Sequence, residues 1–263
     1  MAITTFDGLI ASAKQHISWT KTTSRTTVAA QWFSLFDIGG NPGAGVLAGT
    51  STTAGVVPTD ATAGCPVINA FGGGATGYLV NVDFGGTVAC RIRLFDMVFK
   101  AGAYAFNANT ALSAQPSYAS RMPGGVYADT QIWLEQVTAG TGNQVVTVTY
   151  TNQDGTGSRS TGAYTTAANI VGRCWQIPLQ AGDTGVQKID NVLGATATAG
   201  TFNILVMRPV WTGRIKIAND GDIHDLTKTM MDEIFADSAL TCLVAADSTA
   251  SGIPDISFTI VNG

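Results

Sequence analysis

The stretch VVTVTYTNQDGTGSRSTG, residues 145–162, alternates valine with threonine and then ends in a polar turn rich in glycine. A period of two places successive side chains on opposite faces of a β-strand. The strand is expected to turn Val146, Val148 and Tyr150 towards a core and Thr147, Thr149 and Thr151 outwards. Asp154 and Gly155 form a dipeptide typical of tight turns, so we expect the chain to reverse there.

Further strands separated by glycine-rich turns are predicted along most of the chain. The clearest are YLVNVDF (78–84), VACRIRLFDMVFK (88–100) and TFNILVMRPVW (201–211). The apolar phase of the second changes near Leu94 and Phe95, which predicts a β-bulge there. The third is apolar on both faces, so we expect a central strand that stops at Pro209. Many short strands with few helices predict a mainly β fold, a β-sandwich or jelly roll, as one domain over residues 1–263.

Two helices and one long loop complete the predicted organisation. A short N-terminal helix is expected to begin with Thr4 or Thr5 as its N-cap and to end near His16, so that residues 1–25 form a helix or arm. Residues 222–240, DIHDLTKTMMDEIFADSAL, carry an apolar stripe at helical spacing behind a capping Asp222, which predicts an amphipathic helix. Residues 37–77 are the most loop-like region and are expected to contact a partner.

Composition narrows the possible functions. Apolar residues make up 45% of the chain and charged residues 12%, against about 25% charged in an average protein. The net charge of −4 and the lack of a basic run in the sequence argue against nucleic acid as a partner. The start MAITTFDGLIASAK has neither a cationic region nor a long apolar run, so we expect no membrane segment and folding in a cytoplasm. The four cysteines are far apart and predict buried, reduced thiols.

Catalytic and cofactor motifs are weak. Gly72 to Gly77, GGGATG, fits a dinucleotide motif by letters but leads into a strand rather than a helix, and GAGVLA from Gly43 lacks the same context. Asp220, Asp222 and Asp225 are the candidates for a metal site, although a helix cap explains the same residues. We therefore expect no enzyme activity, no cofactor and no bound metal.

Two functions that involve carbohydrate, glycoside hydrolysis and sugar binding, stay open as alternatives. Carboxylates far apart in sequence can meet in a folded glycosidase. The three tryptophans Trp133, Trp175 and Trp211 are candidates for a sugar platform, although large aromatic residues more often belong to a core or an interface.

Three segments, VTYTNQDGTGSRSTG, IPLQAGDTGVQKID and AGTFNILVMRPVW, resemble structural proteins of tailed bacteriophages, in particular head decoration or cement proteins. The resemblance covers roughly residues 130–210. It implies a virion subunit that folds in the host cytoplasm, has a β-sandwich or jelly-roll body and binds the capsid in many symmetric copies.

The resemblance and the composition together predict a non-enzymatic capsid decoration subunit. Its expected partners are the major capsid protein and neighbouring copies of itself in a homo-oligomer, with no nucleic acid and no membrane. The alternatives are a tail- or fibre-associated module that binds a glycan or receptor, and a major capsid protein. The candidate interface residues are Trp32, Phe36, Phe71, Trp211, Met230 and Phe235.

Overall fold

Strands dominate the structure, a computed structural model that describes residue 3 and residues 5–72, 75–167, 170–196 and 199–263. Strands account for 47% and helices for 6% of residues. The sheets pack together and the helices are few and short, which confirms the predicted mainly β fold of the sandwich or jelly-roll type.

Six antiparallel strands close into a barrel, which the sequence did not predict. In order around the barrel they are β11 (Arg173–Ile177), β2 (Trp32–Ser34), β16 (Leu240–Ala246), β5 (Cys90–Ala105), β13 (Thr201–Ile215) and β7 (Gln131–Thr138). The two longest strands, β5 and β13, pair along almost their whole length. Most of their residues are buried, as expected for central strands covered by other layers.

A six-stranded sheet packs beside the barrel. Its strands are, in order, β14 (Asp220–His224), β4 (Gly77–Gly86), β17 (Pro254–Asn262), β1 (Lys14–Lys21) and β3 (Gly40–Asn41), with β15 (Glu233–Ile234) also on β4. Phe84 and Trp19 of this sheet share one buried apolar cluster with Ile92 of the barrel.

A five-stranded sheet contains the opening stretch of the sequence. Its strands are β10 (Tyr164–Thr165), β8 (Val145–Asn152), β12 (Val186–Gly194) and β6 (Asn109–Ala111), with β9 (Arg159–Ser160) also on β8. Two 3₁₀ helices, Ala119–Arg121 and Pro123–Gly125, precede β7.

The predicted faces of β8 are confirmed. Val146, Val148 and Tyr150 are completely buried, whereas the three threonines between and after them are half-buried. The turn is confirmed as well, because Gly155 has a positive φ of 80° and its N–H donates to the carbonyl of Asn152 at 3.1 Å.

A bulge occurs where β5 and β13 pair, but it is in β13 and not in β5, where it was predicted. Leu94 faces Trp211 and Phe95 faces Pro209, so Val210 of β13 is the extra residue. The prediction that the strand stops at Pro209 is wrong, since β13 continues to Ile215. A bulge is one of the places where a strand tolerates a residue without an N–H, which explains how the ladder continues past proline.

The N-terminal helix is shorter than predicted. Helix α1 spans Phe6–Ala11, and its N-cap Thr5 accepts a hydrogen bond from the N–H of Gly8 at 3.0 Å. His16 does not end this helix. It lies in β1 opposite Thr259, because the chain joins the six-stranded sheet from Lys14 onward.

The predicted amphipathic helix over 222–240 is wrong except for one turn. Helix α2 spans Leu226–Thr229, and its N-cap is Asp225 rather than Asp222. The segment before it pairs with β4 as β14, and Met230 and Met231 after it have positive φ values of 57° and 55°. Pairing with the sheet and the left-handed backbone therefore end the helix.

The long loop region 37–77 is partly buried in the chain's own core. Leu47, Cys65 and Ile68 are buried, whereas Val46 and Val67 are exposed. Gly73 and Gly74 of the GGGATG motif lie outside the described residues. The single domain over 1–263, and partner contacts by residues 1–25 and 37–77, stay predictions.

The structure also shows the state of the four cysteines and the length of the helices. All four cysteines are free and buried, as predicted, and burial raises the pKa of Cys65 to about 12 and that of Cys90 to about 11. Over the residues described, no helix has the length and apolar character needed to cross a membrane.

Candidate interaction site

Two barrel strands place three arginines on one outer face. Residues alternate between buried and exposed at the start of β5 and the end of β13, and Arg91, Arg93 and Arg214 lie on the outward side. The antiparallel register sets Arg93 opposite Thr212 and Arg91 opposite Arg214. Directly opposed residues in a sheet point to the same side, so the strand pairing itself assembles this cationic face.

Trp32 of β2 holds two of these arginines in place. The guanidinium carbon of Arg93 lies 4.7 Å from the centre of a Trp32 ring, and that of Arg91 lies 5.4 Å from it. Arg91 also donates to the carbonyl of Ala30 at 3.1 Å. Trp32 itself meets Trp133 of the core edge to face, with ring centres 6.3 Å apart. Cation–π contact with a half-buried indole orients both guanidinium groups before any ligand arrives.

Three further basic side chains complete the lining of the site. Lys216 follows β13, His224 ends β14 and Lys228 belongs to α2. Together these elements enclose a groove of about 450 Å³, which we call the cationic groove. Its lining consists of Trp32, Arg91, Arg93, Thr212, Gly213, Arg214, Lys216, Asp222, His224 and Lys228.

His224 is held as a neutral ring. Its Nδ1 accepts a hydrogen bond from the indole N–H of Trp211 at 2.9 Å, and its ring lies edge to face against Phe84. An indole N–H is a donor only, so the remaining proton of neutral His224 is on Nε2, 3.7 Å from a carboxylate oxygen of Asp222. Burial and then the charge of Lys228 lower the pKa of His224.

The positive charge of the groove is poorly neutralised. Asp222 lies 3.8 Å from the ammonium of Lys228, and Asp247 lies 4.0 Å from Arg214. Within the described part of the chain, no carboxylate lies within 4.0 Å of Arg91, Arg93 or Lys216. Burial and then the charge of neighbouring Arg91 lower the pKa of Arg93. An anionic group entering the groove would relieve this repulsion between like charges.

A second cavity of about 500 Å³ adjoins the cationic groove and shares Arg93, Thr212 and Lys228 with it. We call it the Met230 cavity, because the side chain of Met230 contributes to its lining and is 78% exposed. The rest of its lining is Leu94, Phe95, Gln131, Gln176, Pro209, Val210, Trp211, Thr229 and Asp232. The two cavities together present charge beside apolar surface, a combination suited to a protein partner.

The structure divides the predicted interface residues into two groups. Trp32 and Met230 line the two cavities, and Phe235 is half-buried beneath the guanidinium of Arg208. Phe36, Phe71 and Trp211 are buried in the core of this chain, at 3%, 6% and 6% exposure. That these three contact a partner stays a prediction, and their burial leaves little of each ring accessible.

The three tryptophans considered as a sugar platform are buried, in agreement with the alternative that they belong to the core. Trp133 is completely buried, and Trp175 and Trp211 are less than a tenth exposed. Their faces are occupied by the chain's own side chains, so they do not form an open stacking surface.

The three candidate metal ligands have separate roles. Asp220 lies in a different groove, Asp222 approaches His224 and Lys228, and Asp225 caps α2 by accepting from the N–H and hydroxyl of Thr227. No group of three or more His, Cys, Asp or Glu side chains suited to a metal ion occurs among the residues that the structure describes.

The sequence indicated part of this site. Arg91 and Arg93 are two residues apart, a spacing that puts both on one face of a strand, and in β5 both lie on the outward side. The sequence does not show that the strand of Arg214 pairs with that of Arg91, or that Lys216 and Lys228 lie beside them. Strand register places Arg214 opposite Arg91, whereas Lys216 follows β13 and Lys228 belongs to α2.

Comparison with known proteins gives little further information. No family model and no curated protein matches the chain, so the resemblance to tailed-phage decoration proteins receives no support there. Among solved structures, the chain is similar to a mutant VP2 protein of infectious bursal disease virus in derived T=1 particles. Identity is 9%, coverage is 95% of this chain and 78% of that chain, and the TM-score is 0.18.

A VP2 subviral particle of the same virus gives 10% identity, coverage of 95% of this chain and 81% of that chain, and a TM-score of 0.18. The chain thus has a weak structural similarity to a viral capsid protein. TM-scores this low do not establish a shared fold and carry no conclusion about function.

Proposed function

We propose that this chain is a non-enzymatic structural subunit of a virus particle, and specifically a decoration or cement subunit that binds the assembled head. The observation that carries the proposal is the preformed surface made by the cationic groove and the Met230 cavity. Arg91 and Arg93 of this surface are held on paired barrel strands and against the half-buried Trp32, so these side chains lose little conformational entropy when a partner binds.

Other exposed features support a role in assembly. Helix α1 has no buried residues, and it exposes 68% of Phe6 and 59% of Ile10. A helix this short is marginal in water by itself, so an apolar contact with a neighbouring protein would stabilise it. A subunit that touches several neighbours through modest contacts gains avidity of about 10²- to 10⁴-fold over one contact.

The assignment to a virion comes from the sequence resemblance over residues 130–210. In the structure this region contains the five strands from β7 to β11, all of β12 and the first two thirds of β13. The GDTG turn of the resemblance includes Asp183, whose carboxylate joins β8 and β9 through Tyr150 and Arg159. The segments that resemble decoration proteins thus meet in one packed region.

A depletion experiment tests the proposal. Particles that lack the chain are expected to rupture at lower temperature than complete particles, and adding back purified wild-type chain should restore the original rupture temperature. Anything that binds only the assembled shell shifts the equilibrium towards it. Equal robustness with and without the chain would contradict the cement role, and its absence from purified particles would contradict the virion role.

The cationic groove also favours a second candidate, a tail- or fibre-associated module that binds an acidic host glycan. Paired guanidinium groups recognise carboxylate and sulfate oxygens with two hydrogen bonds each. A glycan array is the direct test: binding to acidic glycans that disappears in an R91Q/R93Q variant supports this candidate. An array with no binding rejects it.

A further inference from the structure

The exposed positive charge of the chain is concentrated at one place. The sequence has 14 lysines and arginines, and five of them line the cationic groove. Six others are buried, namely Lys21, Arg25, Lys100, Arg121, Arg173 and Arg208. Arg159 is paired with Asp183, which leaves Lys14 and Lys188 as the exposed cations elsewhere.

A second groove carries the opposite charge. Asp220, Asp83 and Asp255 come from β14, β4 and β17, three neighbouring strands of the six-stranded sheet. All three are exposed and line a groove of about 660 Å³ whose described lining contains no lysine, arginine or histidine. We call it the acidic groove. Its carboxylates make no ion pair within 4.0 Å in the described part of the chain.

From this separation of charge we infer that copies of the chain associate with the cationic groove of one copy against the acidic groove of another. The inference deepens the proposed assembly role, on which it rests, by naming the surface and the partner. Carboxylates are planar acceptors that match the fork of a guanidinium, and Arg91 and Arg93 are already oriented by Trp32.

The carboxylates near the cationic groove belong to the same chain but leave most of its positive charge free to bind another molecule. Asp222 and Asp247 approach Lys228 and Arg214 at 3.8 and 4.0 Å, too far for strong neutralisation. A duplex nucleic acid is disfavoured because the whole chain carries a net charge of −4. An acidic glycan would use the cationic groove and leave the acidic groove without a function, whereas a second copy uses both.

Sedimentation velocity on wild type and on four purified variants tests the inference. Two are charge-reversal variants, R91E/R93E in the cationic groove and D83K/D255K in the acidic groove. Two are matched controls, K14E/K188E and D154K/D237K, which make the same changes in net charge at exposed positions outside both grooves. Circular dichroism and thermal melting establish that each variant is folded before association is measured.

We expect wild type to self-associate at about 0.05 M salt and to dissociate at about 0.5 M salt, because the Debye length falls severalfold over that range. Each groove variant alone should associate about tenfold or more weakly than wild type, since like charges then face each other. The controls should resemble wild type. An equimolar mixture of the two groove variants should associate again, because the R91E/R93E protein keeps its acidic groove and the D83K/D255K protein keeps its cationic groove.

Three results would overturn the inference. One is a wild-type chain that stays monomeric at low salt, including the case in which it binds a sulfated oligosaccharide through Arg91 and Arg93. Another is self-association that neither groove variant weakens. The third is a mixture that fails to associate although each variant is folded. None of these outcomes changes the depletion experiment, so failure of the inference and failure of the cement role are distinguishable.

Discussion

Asp96 of β5 is completely buried and holds together four separate parts of the chain. Its carboxylate accepts hydrogen bonds from Arg121 of the first 3₁₀ helix and from Arg208 of β13. It also accepts from the hydroxyl of Ser238 at 2.9 Å and from the N–H of Ala239 at 3.0 Å. Two buried arginines, Arg121 at 0% and Arg208 at 5% exposure, therefore share one buried carboxylate.

Replacing this carboxylate should be strongly destabilising. We expect Asp96→Asn to lower the free energy of unfolding by about 3–5 kcal/mol, because it leaves two buried guanidinium groups without a counter-charge. Denaturant titration measures the change. Asp154→Asn, at an exposed position, is the control and should stay within about 0.5 kcal/mol of wild type. A loss below about 1 kcal/mol in the Asp96 variant would contradict the role of this network.

Asp183 joins β8 and β9 to the turn before β12. Arg159 donates to both of its carboxylate oxygens at 2.8 and 2.9 Å, and Tyr150 and Asn152 donate at 2.7 and 2.9 Å. Hydrogen bonding to Arg159 is the main cause that lowers the pKa of Asp183 to about 2.

This carboxylate makes stability depend on pH in the acid range. A carboxyl whose pKa is lower in the folded chain than in the unfolded chain, about 3.9, stabilises the fold at higher pH. That contribution should be fully present above about pH 4 and should be lost as the pH falls towards 2. Unfolding experiments from about pH 5 to about pH 2 should therefore show the difference between wild type and Asp183→Asn becoming smaller. Parallel curves for the two proteins would contradict this assignment.

At the scale of elements, β8 shows why alternation is a reliable guide. Val148 is completely buried and Thr147 beside it is half-buried, so exchanging valine and threonine at these positions has opposite consequences. We expect Val148→Thr to cost about 1–3 kcal/mol, because it buries a hydroxyl without an assigned partner. Thr147→Val should change stability by less than about 0.5 kcal/mol. Equal losses in the two variants, measured by denaturant unfolding, would mean that the strand faces are assigned incorrectly.

The segment after α2 distinguishes the observed turn from the predicted helix. Met230 is exposed and has a φ of 57°, a backbone conformation that costs an L-residue with a Cβ about 1–2 kcal/mol. We expect Met230→Gly to leave the free energy of unfolding unchanged or to raise it by up to about 1 kcal/mol. Thr227→Gly, inside the helical turn, should lower it by about 0.5–1 kcal/mol. A loss of about 1 kcal/mol for Met230→Gly is what a continuous helix would give and would contradict the turn.

The sequence predicts elements where local pattern and tertiary contact agree. Alternation predicts β8. The phase change in residues 88–100 predicts a bulge, which lies in the paired strand β13 at Val210. The helical spacing of apolar residues in 222–240 was misleading because pairing of Asp220–His224 with β4 outweighs helix propensity. No local pattern shows that a partner strand is available.

At the scale of the whole molecule, the separation of charge is a property of the fold. The sequence gives the overall charge and the Arg91–Arg93 pair, but not which other cations join them. Register between β5 and β13 adds Arg214, and the turn after β14 adds Lys228. Burial of six other basic residues then leaves the cationic groove as the main exposed positive surface. Although only 12% of the residues are charged, the fold groups some of them into two grooves of opposite charge.

The same scale explains which of the predicted interface residues are accessible on the surface. Large aromatic residues are common both in cores and at interfaces, so residue type alone does not separate Trp32 from Phe36 or Phe71. The closed barrel and the packed sheet bury the last two, whereas Trp32 is on the barrel surface beneath the arginines. Contacts of Trp32 and Met230 with a partner stay a prediction.

Electron cryo-microscopy of purified particles tests the central claim most directly, because it locates the chain without relying on any variant. The account predicts density for this fold in many symmetry-related copies on the outer surface of the head, with neighbouring copies meeting through the cationic and acidic grooves. Absence of the chain from the particles, or its presence in a few copies at the tip of a tail, would contradict the account.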